Sequence, residues 1–359
     1  MKKFEISIII PTFNESANIL AVIKEIQISL LDCDYEIIVV DDDSPDNTHA
    51  IVKQSAKEQP NVLCINRTWK KGLSSAVVEG ASLATKEYIC VIDGDGQHDP
   101  LDIRKMIALL QNKKTDLIIG SRFLDVQATN SLSYKRNLIS KIGIILTNFF
   151  IRSKSTDPLS GLFLMKRVKF SEIQNNLYKD GFKILFDILM LSKQLTVKEI
   201  QINFRKRLNG ESKLNISTIF NLGGQIIENL TKSLVPANFV VFSLVGSFGL
   251  IIHLTVLNIN LSFGYSFIPS NIFATIIAMT SNYFLNNYLT FHNIHRLFYE
   301  RVKGLLRYFF ANSLSIIANV GVASQFYISN YSALSSALFG IAVGLILNYF
   351  LSANLVFKK

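Results

Sequence analysis

The chain has 359 residues, 49% hydrophobic and 18% charged, with 37 Lys and Arg against 27 Asp and Glu for a formal net charge of +10. The shortage of charge is local: residues 233–295 carry no Asp, Glu, Lys or Arg, and neither do residues 308–357. Two such stretches exclude a wholly soluble enzyme, a disordered chain and a disulfide-stapled secreted domain.

The first half alternates strand-like and helix-like segments. Glu5–Pro11, Tyr35–Asp41, Val62–Ile65 and Tyr88–Asp93 are short β-branched runs. Between the first two, Ile19, Val22, Ile23, Ile26 and Leu30 recur at helical spacing. This alternation predicts an α/β domain with a parallel sheet, whose ligands bind beyond the strand C-termini. Acidic and turn residues gather at those ends, at 11–15, 41–46 and 93–98. No GxGxxG or Walker loop is present, which argues against a dehydrogenase or an ATPase. Cys33, Cys64 and Cys90 are too far apart for a CxxC pair and read as small buried residues of a reducing compartment. Lys2 and Lys3 precede an apolar run too short for a signal-peptide core, so this half is expected to stay in the cytoplasm.

If the segment after the fourth run is extended, Asp93, Asp95 and Gln97 share one face, because side chains alternate with a period of two. Two carboxylates and an amide oxygen make a hard site suited to Mg²⁺ or Mn²⁺, which would bind a substrate diphosphate at its remaining positions. A purely structural Asp-Gly-Asp turn is the competing reading.

Two amphipathic stretches follow. Leu138, Ile139, Ile142, Ile145, Phe149 and Phe150 are flanked by Lys135, Arg136, Lys141, Arg152 and Lys154. Ile216, Ile219, Phe220, Ile226, Ile227 and Leu230 repeat the pattern before Pro236. Both suit helices in a membrane interface, with core helices of the soluble domain as the alternative.

Each charge-free stretch is long enough for two spans, predicting four transmembrane helices near 238–260, 268–291, 306–327 and 334–356. Basic residues lie between the second and third and at Lys358-Lys359, which puts those segments and the C-terminus in the cytoplasm. The same positive-inside bias accounts for half the net charge, so nucleic acid is not an expected partner. An internal repeat spans 66 residues: NYFLNNYLTF at 282–291 matches NYFLSANLVF at 348–357 in six of ten positions. Two helices per repeat make two hairpins of the same orientation. Asn282, Asn286, Asn319 and Asn348 either bond helix to helix or line a lipid path.

In chain order, PTFNE, VVDDDSPDNT, VIDGDGQHDP, GSRF, DPLSGLF, GFKIL and RLNGESKL resemble the polyprenyl-phosphate (dolichol-phosphate) mannose synthase branch of the family-two glycosyltransferases. The last 120 or so residues resemble a GtrA-like membrane module. The resemblance implies a GT-A (Rossmann-like) catalytic domain over 1–215, an interfacial linker over 216–235 and a four-helix membrane domain over 236–359. It also implies a multi-pass membrane enzyme that moves mannose from GDP-mannose to a dolichyl or undecaprenyl phosphate with inversion. A UDP-sugar donor, glucose or N-acetylhexosamine, and a carrier of lipid-linked sugar remain alternatives. Carried over to this chain, Pro11, Phe13, Glu15, Val40 and Asp42 would surround the nucleotide. Asp93, Asp95 and Gln97 would hold the metal and, with Gly94, the diphosphate. Arg122, Arg207 and Lys213 would act with Asp95 in catalysis and donor binding, and Arg122, Arg136 and Ser140 would meet the acceptor phosphate. Phe13 stands where this branch usually has Tyr, Gly94 where Ala is common and Asp99 where Pro is common. A processive polysaccharide synthase would carry QxxRW, whereas the single tryptophan, Trp69, lies in Arg-Thr-Trp-Lys. His98 is expected to be structural, because a phosphate acceptor with a second pKa near 6 needs no general base.

Overall fold

The computed structural model describes residues 3–68, 72–110, 115–125, 134–151, 153–177, 183–192, 195–206, 216–231, 234–289 and 298–351. They form two compact units, Met1–Leu214 and Asn215–Lys359.

The first unit is built on seven strands, β1 (Glu5–Thr12), β2 (Asp34–Asp41), β3 (Val62–Asn66), β4 (Tyr88–Val91), β5 (Leu117–Ser121), β6 (Phe163–Lys166) and β7 (Val197–Gln201), in the order β3-β2-β1-β4-β6-β5-β7. β1 has no room for alternation: Ile6, Ile8, Ile9 and Ile10 are all fully buried, as befits a central strand covered on both faces. It runs parallel to β2, with Ile8 opposite Ile37, and parallel to β4, with Ile8 opposite Cys90. The crossovers are α1 (Ile19–Ser29), α2 (Thr48–Ala56) and α3 (Leu73–Leu83); further along come α4 (Leu101–Leu110), α5 (Tyr134–Phe150), α6 (Arg167–Ile173) and α7 (Ile184–Leu191). α1 buries Ile19, Val22, Ile23 and Ile26, the stripe its spacing predicts.

The expected parallel sheet is found with one strand reversed. β6 lies antiparallel between β4 and β5, with Cys90 opposite Leu164 and Ile118 opposite Leu164 from the other side. It arrives from the 157–162 loop, so that loop lies at the C-terminal ends of β4 and β5. On α5, Leu138, Ile142, Ile145 and Phe149 are exposed while Ser140 and Thr147 are buried. Its apolar stripe therefore faces outward rather than into the core.

The second unit comprises α8 (Ile216–Leu230), α9 (Ala237–Ser262), α10 (Phe267–Leu289), α11 (Phe298–Ala311), α12 (Ser313–Ile328) and α13 (Ala333–Leu351). α8 packs on the start of α9, where Gly224 admits the Ala237 backbone and the Ala237 amide donates to Glu228 Oε2 at 2.6 Å. Among the described residues, α9 is long and apolar enough to cross a membrane alone, and the α11–α12 pair passes only as a helix bent by 53°. The single helix expected over 306–327 is thus broken at Asn312. Residues before the break carry Glu300, Arg301, Lys303 and Arg307, which make α11 amphipathic and ill-suited to continue an apolar span. At the break Asn312 Nδ2 donates to the Tyr308 carbonyl at 2.9 Å. The distal ends expected for the second and fourth spans, 290–291 and 352–356, lie outside the described residues.

Candidate active site

The C-terminal edge of β1 and β2 is laced by short polar bonds. Thr12 Oγ1 donates to Asp41 Oδ1 at 2.9 Å and the Asp42 amide to the Thr12 carbonyl at 3.0 Å. The Asn14 amide donates to Ser44 Oγ, the Glu15 amide to Thr48 Oγ1 and the Ser16 amide to Asp46 Oδ2. Asn14, Asp43 and Asn47 all take positive φ, between 54 and 65°, which short polar side chains tolerate, and this is why PTFNE and DDDSPDNT are rich in Asn and Asp. Pro11 and Val40 face each other in register and are buried. Phe13 is exposed at the rim. Glu15 is buried and accepts from Asn18 Nδ2 at 2.8 Å, so its carboxylate braces the start of α1.

Asp42 is already engaged. The fully buried Arg67 donates from Nε to Asp42 Oδ1 at 2.7 Å and closes a second contact through Nη2, while the Gly72 amide donates to Oδ2 at 2.7 Å. Arg67 also reaches Ser75 Oγ at 2.9 Å and the Gly72 carbonyl at 3.0 Å. Sequence reading missed this arginine. Its signal was its place, directly after the third strand at the same sheet edge.

β4 ends at Val91, and Gly94 to Gly96 turn, with Gly96 at φ 74°. The extended row expected for Asp93, Asp95 and Gln97 is therefore corrected to a turn, in which the Gln97 amide donates to Asp95 Oδ1 at 3.0 Å. Gly94 presses on β1, where a Cβ would lie 3.0 Å from Thr12 Cγ2. Asp93 is about a third exposed, and its Oδ2 lies 3.5 Å from Nε2 of the buried His98. Burial would raise the Asp93 carboxyl, but His98, Lys183 and Arg122 outweigh it and hold the pKa down at about 2. Asp95 and Gln97 are buried, and Gln97 Nε2 donates to the Arg205 carbonyl at 3.3 Å. Among the described residues no three His, Cys, Asp or Glu side chains cluster as a metal cage. An ionised Asp93, the Asp95 carboxylate and the Gln97 side-chain amide oxygen are nevertheless hard oxygen donors of the kind that Mg²⁺ or Mn²⁺ takes.

GSRF and DPLSG close the site from the other side. Arg122 donates to Asp157 through Nε at 2.7 Å and Nη2 at 2.8 Å, and both side chains are buried. Ser160 Oγ donates to the Gly120 carbonyl at 2.6 Å, tying the two motifs together. Gly161 then passes so close to Asp93 that a Cβ there would lie 2.1 Å from its Oδ2. Lys183, from GFKIL, donates to the Leu159 carbonyl at 3.1 Å and brings positive charge toward Asp93. It too was missed as an individual residue, although its motif was visible.

The chain after β7 returns to the site through Phe204, which bridges to His98, packs edge-on against its ring at 5.2 Å and underlies the Arg122 guanidinium at 5.3 Å. Arg205 pairs with Asp99 and Glu25, both at 2.7 Å. Arg207 and Lys213 follow but lie outside the described residues, as does the side chain of Arg136. Ser140 is buried on α5.

Residues 7–174 match the family model for glycosyl transferase family 2, and residues 241–357 match the GtrA/DPMS transmembrane domain. The chain is 34% identical over 294 residues to a dolichol-phosphate mannosyltransferase of Pyrococcus furiosus, covering 81% of this chain and 82% of that one. It is 29% identical over 231 residues to a dolichol-phosphate mannosyltransferase of Mycosarcoma maydis, covering 62% and 78%. A solved glucosyl-3-phosphoglycerate synthase from Mycobacterium tuberculosis is similar with a TM-score of 0.48 and 19% identity, over 65% of this chain and 81% of that one. A strand-end carboxylate turn of this build, carried on a membrane-domain chain with such relatives, is that of an enzyme: the chain belongs to the family-two glycosyltransferases, in the branch that bears a GtrA/DPMS transmembrane domain.

Proposed function

We propose that the enzyme transfers mannose from GDP-mannose to a polyprenyl phosphate, inverting the anomeric centre and releasing GDP. The observation that carries this reading is the Asp93–Asp95–Gln97 turn, enclosed between the β1–β2 edge and the GSRF and DPLSG loops, in a chain 34% identical to a protein named for dolichol-phosphate mannose transfer. Asp93, Asp95 and Gln97 would hold Mg²⁺ or Mn²⁺, which would supply positive charge toward the diphosphate. Pro11, Phe13, Glu15, Val40 and Asp42 form the nucleotide side of the crevice. Arg122 spends Nε and Nη2 on Asp157, so Nη1 is the edge it offers a phosphate. By the family resemblance, Arg207 and Lys213 would serve the donor phosphates, and Arg136 and Ser140 the acceptor phosphate. Guanidinium groups offset the repulsion between two phosphate-bearing substrates bidentately. A phosphate monoester is already mostly ionised at neutral pH, so no base is required and the residues do their work by alignment.

The lipid acceptor accords with the outward apolar stripe of α5 beside Lys141 and Lys154, which suits a bilayer surface. By the positive-inside rule, Arg301, Lys303 and Arg307 on α11 support a cytoplasmic reading for that end of the membrane unit.

The test is a donor panel. Purified enzyme in mild detergent receives a polyprenyl phosphate, a divalent metal and labelled GDP-mannose, UDP-glucose or UDP-N-acetylhexosamine, and label extracted with the lipid is scored. Metal-dependent transfer from GDP-mannose alone is expected. Transfer only from a UDP-sugar overturns the donor assignment, and no transfer from any donor by folded protein overturns the reaction.

A further inference from the structure

The second unit contains a cavity of about 60 Å³ enclosed by all four of α9, α10, α12 and α13. Fourteen of its fifteen lining residues form seven pairs separated by 66 residues, the period of the internal repeat. His253 pairs with Asn319, Asn282 with Asn348 and Gly249 with Ser315. The contacts between helices obey the same exchange, because α9 packs on α13 and its repeat equivalent α12 packs on α10. The cavity therefore lies on the pseudo-twofold axis of the duplication. Parallel repeats in membrane proteins put such an axis along the bilayer normal and binding sites at the repeat interface.

The lining is polar without being charged. It has no Asp, Glu, Lys or Arg, but it includes His253, Thr275, Asn282, Ser315, Asn319 and Asn348. His253, Ser315 and Asn319 are at least nine-tenths buried, yet His253 Nδ1, Ser315 Oγ, Asn319 Oδ1 and Asn282 Oδ1 have no hydrogen-bond partner among the described residues. In a membrane domain, polar side chains held inward rather than left facing lipid mark a filled cavity or a binding site. Gly249 secures the room, since a Cβ there would lie 2.4 Å from the Asn282 amide.

We propose that this axial cavity binds a neutral, hydroxyl-bearing group of the carbohydrate class. An anion would need a cation in the lining, and a metal cation would need carboxylates; neither is present among the lining residues. Amide, hydroxyl and imidazole groups both donate and accept, as sugar hydroxyls do. Leu250, Met279, Ile316, Ile341 and Leu345 complete the apolar wall against which the carbon face of a ring packs. The inference rests on the membrane unit alone and does not depend on the transferase reaction.

The test uses the full chain in a polyoxyethylene detergent and three probes: octyl β-D-mannopyranoside, octyl β-D-glucopyranoside and octyl tetraoxyethylene, which has no sugar ring. In Ser315→Cys, modification of the new thiol by a charged methanethiosulfonate reagent is followed by peptide mass spectrometry. A glycoside at ten times its half-saturating concentration slows modification about tenfold, and the polyether does not. Independently, a glycoside raises the thermal midpoint of the unsubstituted chain but not that of Asn319→Leu. Equal protection by all three probes, the same midpoint shift in Asn319→Leu, or a thiol that never reacts overturns the proposal. The first outcome means a site without sugar selectivity, the second a glycoside that binds elsewhere, and the third a closed, dry cavity.

Discussion

The backbone of Gly161 closes over the carboxylate of Asp93, leaving 2.1 Å between Oδ2 and the position a Cβ would take. The obstructing atom is the end of a side chain that can rotate, so the fold tolerates a methyl group there while the carboxylate must leave its position. Gly161→Ala is expected to leave the thermal midpoint nearly unchanged and to lower transfer by about 10²-fold, the cost of displacing a reacting group by about 1 Å. An unaltered turnover rate would separate the DPLSG loop from the metal-binding turn.

Arg122 and Asp157 form a buried bidentate pair that joins GSRF to DPLSG. Removing the carboxylate strands a guanidinium that has little access to water. Asp157→Ala is expected to destabilise the catalytic unit by about 3–5 kcal/mol. Asp157→Asn, which keeps an acceptor oxygen, costs less, and thermal unfolding ranks the two.

Arg67 and Asp42 make a second buried pair at the nucleotide edge. Arg67→Met alone leaves Asp42 with only the Gly72 amide among its described partners, whereas Arg67→Met with Asp42→Asn removes both charges. The double variant is therefore expected to be more stable than Arg67→Met, and a double-mutant cycle of unfolding midpoints measures the coupling.

Stability should fall on the acid side for identifiable reasons. Burial would raise the Glu36 carboxyl, but hydrogen bonds from Ser7 Oγ and from the Thr85 amide and hydroxyl more than offset it; for Asp116, burial is outweighed by Lys166 and the Thr196 amide. Both pKa values are lowered on folding, so their stabilisation is complete above the unfolded-state values of about 4 and is lost as pH falls through the folded-state values. On the alkaline side burial pushes Cys64 up to about 12. That favours the folded thiol below the unfolded value of about 8.5 and is lost as pH rises through 12. Thermal midpoints should fall below pH 4, and Ellman's reagent at pH 8 should react with Cys64 only after unfolding.

Chelation tests the donor set. Removing divalent metal is expected to abolish transfer, and Mg²⁺ or Mn²⁺ to restore it in the unsubstituted enzyme. Asp93→Asn and Asp95→Asn should remain inactive at any metal concentration while keeping the fold, as far-ultraviolet circular dichroism would report. Metal-independent transfer would leave the turn a purely structural one.

Local chemistry was legible in the sequence wherever a pattern repeats at short range. The isoleucine run of β1, the helical stripe of α1 and the Asn and Asp residues at positive φ follow from neighbours a few residues apart, and the 66-residue repeat follows from counting. The division into a catalytic and a membrane unit follows from where charge is absent. Only the tertiary structure decided what those motifs do to one another. Arg67 with Asp42 and Arg122 with Asp157 are 25 and 35 residues apart and carry no periodic signature. The antiparallel β6 lets the DPLSG loop meet Asp93, which no local propensity dictates. Asn312 breaks an apolar-looking run because the segment before it is amphipathic. The axial cavity arises only when two copies of one helical hairpin face each other across a set of neutral polar side chains.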